Sequence, residues 1–327
     1  MTATIHSTGA TTPVADMSDR ARAIADVART IPPLAGDRVD DRAWVAAARH
    51  AWSDLPAELR RTLREFRRDS GPTGTLLLRG LPVEGADLPP TPAAAGSVQR
   101  TAALPAALLL MIAGGLGDPA AFRPEKGGAL VQDVVPVPGQ EDFQGNAGSV
   151  LLTFHTENAF HPHRPDFVML LCLRADHERV AGLRTGCTRQ VLPLLSADGR
   201  EALFSKEFRT AAPPSFGAAS GTTEAHAVLS GAPEDPDVRV DFAATEPLTP
   251  RAGRALAELQ ELFDLTARTA LLEPGDLAVV DNRVTVHGRT AFRPRYDGND
   301  RWLQRSFILS DLRRSRGLRD ADGYVLG

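Results

Sequence analysis

The stretch 151-LLTFHTENAFHPHRPDFVMLLCL-173 sets two apolar runs around a polar cluster of three histidines, two carboxylates and an asparagine. In a strand, residues i and i+2 point to one face. His155 and Glu157 close the first run, so they project together from a strand end. An imidazole beside a carboxylate is half of a divalent-metal site, although an HxE pair alone is also common on solvated surfaces. The second run, 166-DFVMLLCL-173, reads as another strand.

The missing half must come from elsewhere. Downstream, 277-LAVVDN-282 reads as a strand feeding a short turn, with His287 following in 281-DNRVTVHGRTAF-292. Two imidazoles and one carboxylate on one side of a metal leave three positions open, which is the ligand set of non-heme Fe(II) oxygenases. The other histidines lack such partners. His161 and His163 follow a Pro-rich turn and read as solvated loop residues; His177 in RADHE reads as a hydrogen-bonding residue. His50 lies in a helix and His6 in the N-terminal tail, and His226 is open to either role.

The segment 301-RWLQRSF-307 alternates. Arg301, Leu303, Arg305 and Phe307 share one face; Trp302, Gln304 and Ser306 share the other. Arginines facing an interior are costly unless each meets an anion, and a guanidinium suits bidentate carboxylate binding. Two small-molecule carboxylates in one site is the reading; a surface edge strand with its arginines in water is the alternative.

Around these motifs the chain reads as helical first and β-rich later. Helical spacing marks 18–31, with Ser18 as N-cap, then 41–52 and 56–66. The run 103-ALPAALLLMIAGGLG-117 is shorter than the roughly 20 residues a membrane span needs and is broken by Pro and Gly, so it reads as a buried helix. Strand-like runs cover 75–80, 129–137, 149–155, 166–173, 237–243, 277–282 and 301–309, which suggests a sandwich or closed barrel. One helix interrupts them at 249–268, with Thr249 as N-cap and Pro250 at the first helical position. The Gly/Pro/Ala/Ser-rich stretch 211–225 has the length of a lid or binding loop.

The 327 residues, 43% hydrophobic and 24% charged, suffice for a large core in one domain, with residues 1–17 as a disordered tail and 18–327 as the domain. The formal charge of −4 and pI near 6.1 offer no basic stripe, which argues against a nucleic-acid or anionic-membrane partner. Nothing signals an obligate protein partner. Cys172 and Cys187 make no disulfide framework and read as free thiols in a reducing cytoplasm.

Taken together, HTENAFHPHRPDFVMLLCLRADHE, VDFAAT and DNRVTVHGRTAF-x-PRYDG-x-x-RWLQR resemble the clavaminate synthase-like branch of the Fe(II)/2-oxoglutarate oxygenases. Within it the sequence is most similar to the asparagine oxygenases of lipopeptide biosynthesis, and less so to the arginine β-hydroxylases of peptide-antibiotic pathways. The likeness begins near residue 20 and is strongest over 125–175 and 237–320. It implies an α+β fold with a mainly β core, a double-stranded β-helix (jelly-roll) barrel flanked by helices. It implies Fe(II) on His155, Glu157 and His287, and 2-oxoglutarate as cosubstrate with its far carboxylate on Arg301. It also implies Arg305 on the α-carboxylate of an amino-acid substrate, Asn146 and Glu125 on its backbone groups, Asp241 on its side chain, and a lid near 208–225. The implied reaction uses O2 and yields a 3-hydroxy amino acid, succinate and CO2. Glu157 argues against a halogenase, which needs that carboxylate replaced.

Two positions depart from the pattern. Leu183 stands where relatives carry a Thr that helps bind 2-oxoglutarate, with Thr185 as a possible substitute; Gly145 stands where several carry Ser, which removes a hydroxyl and opens space. Relatives that grip a guanidinium place two carboxylates two residues apart, but here the first is Arg239, so one acceptor at Asp241 favours an amide and asparagine is the lead substrate. Desaturation or cyclisation by the same iron chemistry is an alternative outcome. A non-catalytic jelly-roll module that binds a carboxylate is the rival class.

Overall fold

The computed structural model describes residues 11–32, 38–83, 88–213, 216 and 221–327. In chain order the α-helices are α1 (Ala21–Arg29), α2 (Arg42–Ala51), α3 (Ala57–Arg68), α4 (Leu104–Ala113), α5 (Thr188–Val191), α6 (Ala197–Leu203) and α7 (Pro250–Thr266). The strands begin with β1 (Val14–Asp16), β2 (Thr75–Arg79), β3 (Asp118–Phe122), β4 (Gln132–Val134), β5 (Leu152–His155), β6 (Phe167–Arg174), β7 (Leu183–Cys187) and β8 (Phe208–Thr210). They continue with β9 (Leu229–Ala232), β10 (Asp235–Val238), β11 (Thr245–Pro247), β12 (Arg268–Ala270), β13 (Leu277–Asp281), β14 (Thr285–Arg289), β15 (Trp302–Leu309) and β16 (Val325–Leu326).

Two sheets position the site. The major sheet runs β1-β2-β13-β6-β15-β3-β16, with β4 also paired to β15; the minor sheet runs β12-β7-β14-β5. Among the described strands these are separate hydrogen-bonded sheets rather than one closed ring. Strand alternation divides the major sheet's side chains. Val168, Leu170 and Cys172 of β6 and Leu303 and Phe307 of β15 join one apolar cluster with Leu183 of the minor sheet. Phe167, Met169, Leu171, Trp302 and Ile308 point the other way, into a cluster with Trp44, Leu59, Leu63 and Leu108 of the helices. Each such buried Leu or Phe contributes about 1.5–3 kcal/mol of transfer free energy.

α4 explains the longest apolar run: it is buried from Pro105 to Ala113, as a helix apolar all round must be. α7 starts as its sequence requires, with Thr249 accepting from the Ala252 N–H at 3.2 Å. Its Phe263 is buried against Phe154 of β5 and Phe242, with ring centroids 6.2 and 6.1 Å apart, and so covers the outer face of the minor sheet.

Several expectations need correction. The tail does not extend to residue 17: Val14–Asp16 pair in parallel with Leu77–Arg79, and Met17 is buried. Residues 1–10 lie outside the described residues. Ser18 caps no helix side chain-wise; its hydroxyl donates to Asp16, and α1 is entered through a 3-10 turn. The run 129–137 yields only β4. His287 follows the short turn after β13 as read, but it sits inside a further strand, β14, whose sequence TVHGR was diluted by Gly and Arg.

Candidate metal centre

β5 and β14 are antiparallel neighbours, and their register places His155 directly opposite His287. The two rings lie 4.4 Å apart, centroid to centroid. Glu157 lies two residues beyond β5, with its carboxylate 3.5 Å from His287 Nε2. Its backbone is gripped by a fully buried residue on the β13–β14 turn. Asn282 Oδ1 accepts from the Glu157 N–H at 2.8 Å, and Asn282 Nδ2 donates to the carbonyls of Glu157 at 3.2 Å and Pro165 at 2.9 Å. The neighbouring Arg283 makes a two-pronged ion pair with Asp281, 2.8 Å on each prong, which braces the same turn.

One donor atom from each of His155, Glu157 and His287 lies within 4.8 Å of the other two. His155 Nδ1 is 3.0 Å from the Thr153 carbonyl, which can only accept, so Nδ1 donates there and Nε2 is the nitrogen left to bind a metal. Burial, then the neighbouring His155, lowers the pKa of His287 against the opposing pull of Glu157, which keeps a lone pair available there as well. Burial alone would raise Glu157, but Arg305 and His287 outweigh it and hold the carboxylate ionised. Two imidazoles and a carboxylate on one side of a buried point fit a divalent iron.

Arg305 projects from β15 between Leu303 and Phe307. It donates to Glu157 at 3.0 Å, to Gln132 at 2.5 Å and to Glu125. With its oxygen turned inward, the Asn146 amide accepts from both terminal nitrogens of Arg305 at 3.1 Å. Burial works against charge on Arg305, and the two glutamates more than compensate. Burial raises Glu125, while Arg305 opposes that shift. Arg301 is also buried; burial lowers its pKa, and among the described residues no carboxylate lies within ion-pairing distance. It shares a cavity with His155, Glu157, His287 and Arg305, walled by Val134, Leu170, Leu183 and Leu303.

A second, larger pocket of about 170 Å³ adjoins the first. Glu125, Asn146, His155, Glu157, Asp241 and Arg305 all line it. Asp241 reaches it through a β-bridge to His155, and its carboxylate accepts from the Ala243 N–H at 2.9 Å. Arg239 points elsewhere and donates to the Ala159 and Phe160 carbonyls at 2.6 and 3.1 Å. The pocket thus brings all four expected substrate residues, Asp241, Asn146, Glu125 and Arg305, together with His155 and Glu157, while His287 lines the first cavity. Thr210, Pro213 and Phe216 line its rim; of the expected lid, 214–215 and 217–220 lie outside the described residues.

The two sequence departures resolve differently. Gly145 does not open space: a Cβ there would come within 2.4 Å of the Phe143 ring, which fills the volume. Leu183 pairs with Arg289 and Thr185 with His287, but Thr185 lines a separate cleft beside Arg268 and Thr269. His226 is structural, bonded to the Thr210 hydroxyl and the Ala227 carbonyl, both at 2.9 Å. His161 is not solvated as expected. It packs edge-on against Phe122 at 4.7 Å, and burial with neighbouring His163 pushes it down to about 4.

Three residues of the centre escaped the sequence reading: Gln132, Asn282 and Arg289. Arg289 carried a usable signal, since it lies two residues beyond His287 in one strand. It is buried, and burial together with Arg301 pushes its pKa down to about 9.

A family model described as taurine catabolism dioxygenase TauD, TfdA family matches residues 52–307. The chain is 66% identical to L-asparagine oxygenase of Streptomyces coelicolor, over 95% of this chain and 93% of that one. It is 32% identical to clavaminate synthase 2 of Streptomyces clavuligerus, over 91% and 93%. A crystal structure of asparagine oxygenase in complex with Fe(II), 2S,3S-3-hydroxyasparagine and succinate superposes with a TM-score of 0.92 at 64% identity, covering 96% of this chain and 98% of that one.

Proposed function

This chain belongs to the TauD, TfdA dioxygenase family, and on that premise we propose that it hydroxylates C3 of free L-asparagine, consuming 2-oxoglutarate and O2 and releasing succinate and CO2. The observation that carries this reading is the meeting of His155, Glu157 and His287 at the junction of the two cavities, one walled by Arg301 and the other by Asp241 and Arg305.

His155, Glu157 and His287 would hold Fe(II), which with bound 2-oxoglutarate supplies the O2 activation and C–H oxidation. The chain's own residues do the positioning. The buried guanidinium of Arg301 suits the far carboxylate of the cosubstrate. Arg305 and the Asn146 amide NH2 offer donors to the α-carboxylate of the amino acid, and Glu125 offers an acceptor to its ammonium. Asp241, on the far side, accepts from the carboxamide NH2. Anchoring the substrate at both ends fixes which carbon faces the ligands, which is where orientation lowers the barrier. Phe143, Phe160 and Phe216 line the pocket and would exclude water once it is filled. The segment from Phe208, carrying Thr210, Pro213 and Phe216, acts in this reading as the cover over the amino acid.

We read the two facing sheets as a distorted jelly roll, on the strength of the cavity they enclose. The setting we infer, from the likeness to asparagine oxygenases, is supply of a hydroxylated building block to nonribosomal peptide biosynthesis. The test is mass spectrometry of the purified protein with Fe(II), 2-oxoglutarate and O2 against free L-amino acids, scoring succinate and product together. Asparagine gaining one oxygen, with matching succinate, is the expected result. Succinate without any oxidised amino acid would overturn the substrate, and no succinate at all would overturn the class.

A further inference from the structure

We propose that Arg289 is a second guanidinium in the seat of the far carboxylate of 2-oxoglutarate, acting together with Arg301. This rests on the iron and 2-oxoglutarate reading above and adds a residue to it.

Arg289 and Arg301 line the same cavity as His155, Glu157 and His287. They are 4% and 6% exposed. Arg305, the third arginine of the cavity, is matched by Glu125 and Glu157. Arg289 and Arg301 are not matched: among the described residues neither has a carboxylate within ion-pairing distance. Their guanidinium carbons lie 5.1 and 5.9 Å from the centroid of one shared ring, Phe292, so both charges sit against the same side chain and line the same cavity. Arg289 makes one hydrogen bond, from a terminal nitrogen to the Val150 carbonyl at 3.0 Å, and its buried Nε has no partner.

Burying two unpaired cations against one ring is strongly unfavourable unless an anion joins them. The rest of that end of the cavity is aliphatic: Val134, Leu170, Leu183 and Leu303. Leu183 is the direct cross-strand partner of Arg289, so no hydroxyl or amide reaches the spot from β7. The ligand that completes the site must therefore bring a carboxylate at one end. Its other end must reach the metal ligands. A dicarboxylic keto acid has that form, and a carboxylate's two oxygens can accept from two guanidinium groups at once. A double cation also penalises cosubstrates that carry a methyl group instead of the second carboxylate.

The experiment is an anaerobic titration of the Fe(II)-loaded protein with 2-oxoglutarate, followed by the charge-transfer absorption of the bound keto acid. The proteins are the unaltered chain, Arg289→Met, Arg289→Lys and the pair Arg289→Met with Leu183→Thr. Loss of a charged hydrogen bond predicts 2-oxoglutarate binding about tenfold to hundredfold weaker in Arg289→Met. Arg289→Lys should recover part of it, and Leu183→Thr, by restoring one donor, a further part. Asparagine KM should hardly change. Equal 2-oxoglutarate affinity in the unaltered chain and both single variants, with iron bound in all, would overturn the proposal and leave Arg289 as a brace for Val150 and Phe292. If Arg289→Met fails to fold, Arg289→Lys carries the same comparison. No absorption in the unaltered chain would overturn the 2-oxoglutarate reading itself, and this proposal with it.

Discussion

Asp241 is joined to His155 by a β-bridge, so whatever it holds is carried across the metal ligands. A carboxylate accepts hydrogen bonds and repels a second carboxylate, which favours an amide over an acid at the substrate's far end. Asp241→Asn should lower kcat/KM for asparagine by about tenfold to hundredfold and raise activity on aspartate, with 2-oxoglutarate affinity unchanged; competition assays with the two amino acids check it. His161 offers a second test. Its pKa falls from 6.5 to about 4 in the fold, so the folded chain binds fewer protons than the unfolded one in that window. Its contribution is complete above 6.5 and is lost as pH drops toward 4. Denaturant midpoints should therefore fall less steeply with acidification in His161→Leu than in the unaltered chain. The pair His155 and Glu157 was legible because both lie within one two-residue period. Gln132 was not, because its partner Arg305 arrives from a distant strand and nothing local marks a buried amide.

Asn282 works at the scale of the element: one side chain ties the β13–β14 turn to the chain after β5 and to Pro165. Asn282→Ala should weaken iron binding by about tenfold to hundredfold, as removal of outer partners of ligands does. It should also lower stability by about 2–3 kcal/mol through stranded backbone groups. Iron titration and denaturant melts separate the two. Elements with a clean period were readable from sequence, including α3, α7, β6 and β15. Those whose fitness depends on neighbours were not. β3 contains Pro119 and falls in none of the strand-like runs, yet it is held between β15 and β16. β7 was likewise unmarked, and its Gly186 is required because a Cβ there would meet the Phe263 ring at 2.7 Å. Tertiary packing supplied what local propensity lacked.

For the whole molecule, the two thiols report integrity. Cys172 and Cys187 are buried, and burial raises them to about 12 and about 11, so the reactive thiolate is scarce in the fold. A thiol reagent should label neither in the native protein and both in denaturant; rapid native labelling would show that the sandwich between β6, β7 and their neighbours opens readily. An arginine-bearing interior face was foreseeable from alternation in 301–307, while the flanking helices were expected only from the family resemblance. The pairing order was not, since β13 lies between β2 and β6, and β15 between β6 and β3, strands far apart in sequence. That order bears on how the protein is made. On the ribosome His155 and Glu157 emerge well before His287, Arg301 and Arg305, and β15 is the strand on which β3, β4 and β6 all pair. A chain made only as far as β6 carries just two of the three residues proposed to hold iron. On that reading the cell is spared a partly built, oxygen-reactive metal on an unfinished polypeptide, because the three side chains meet only when β14 pairs with β5.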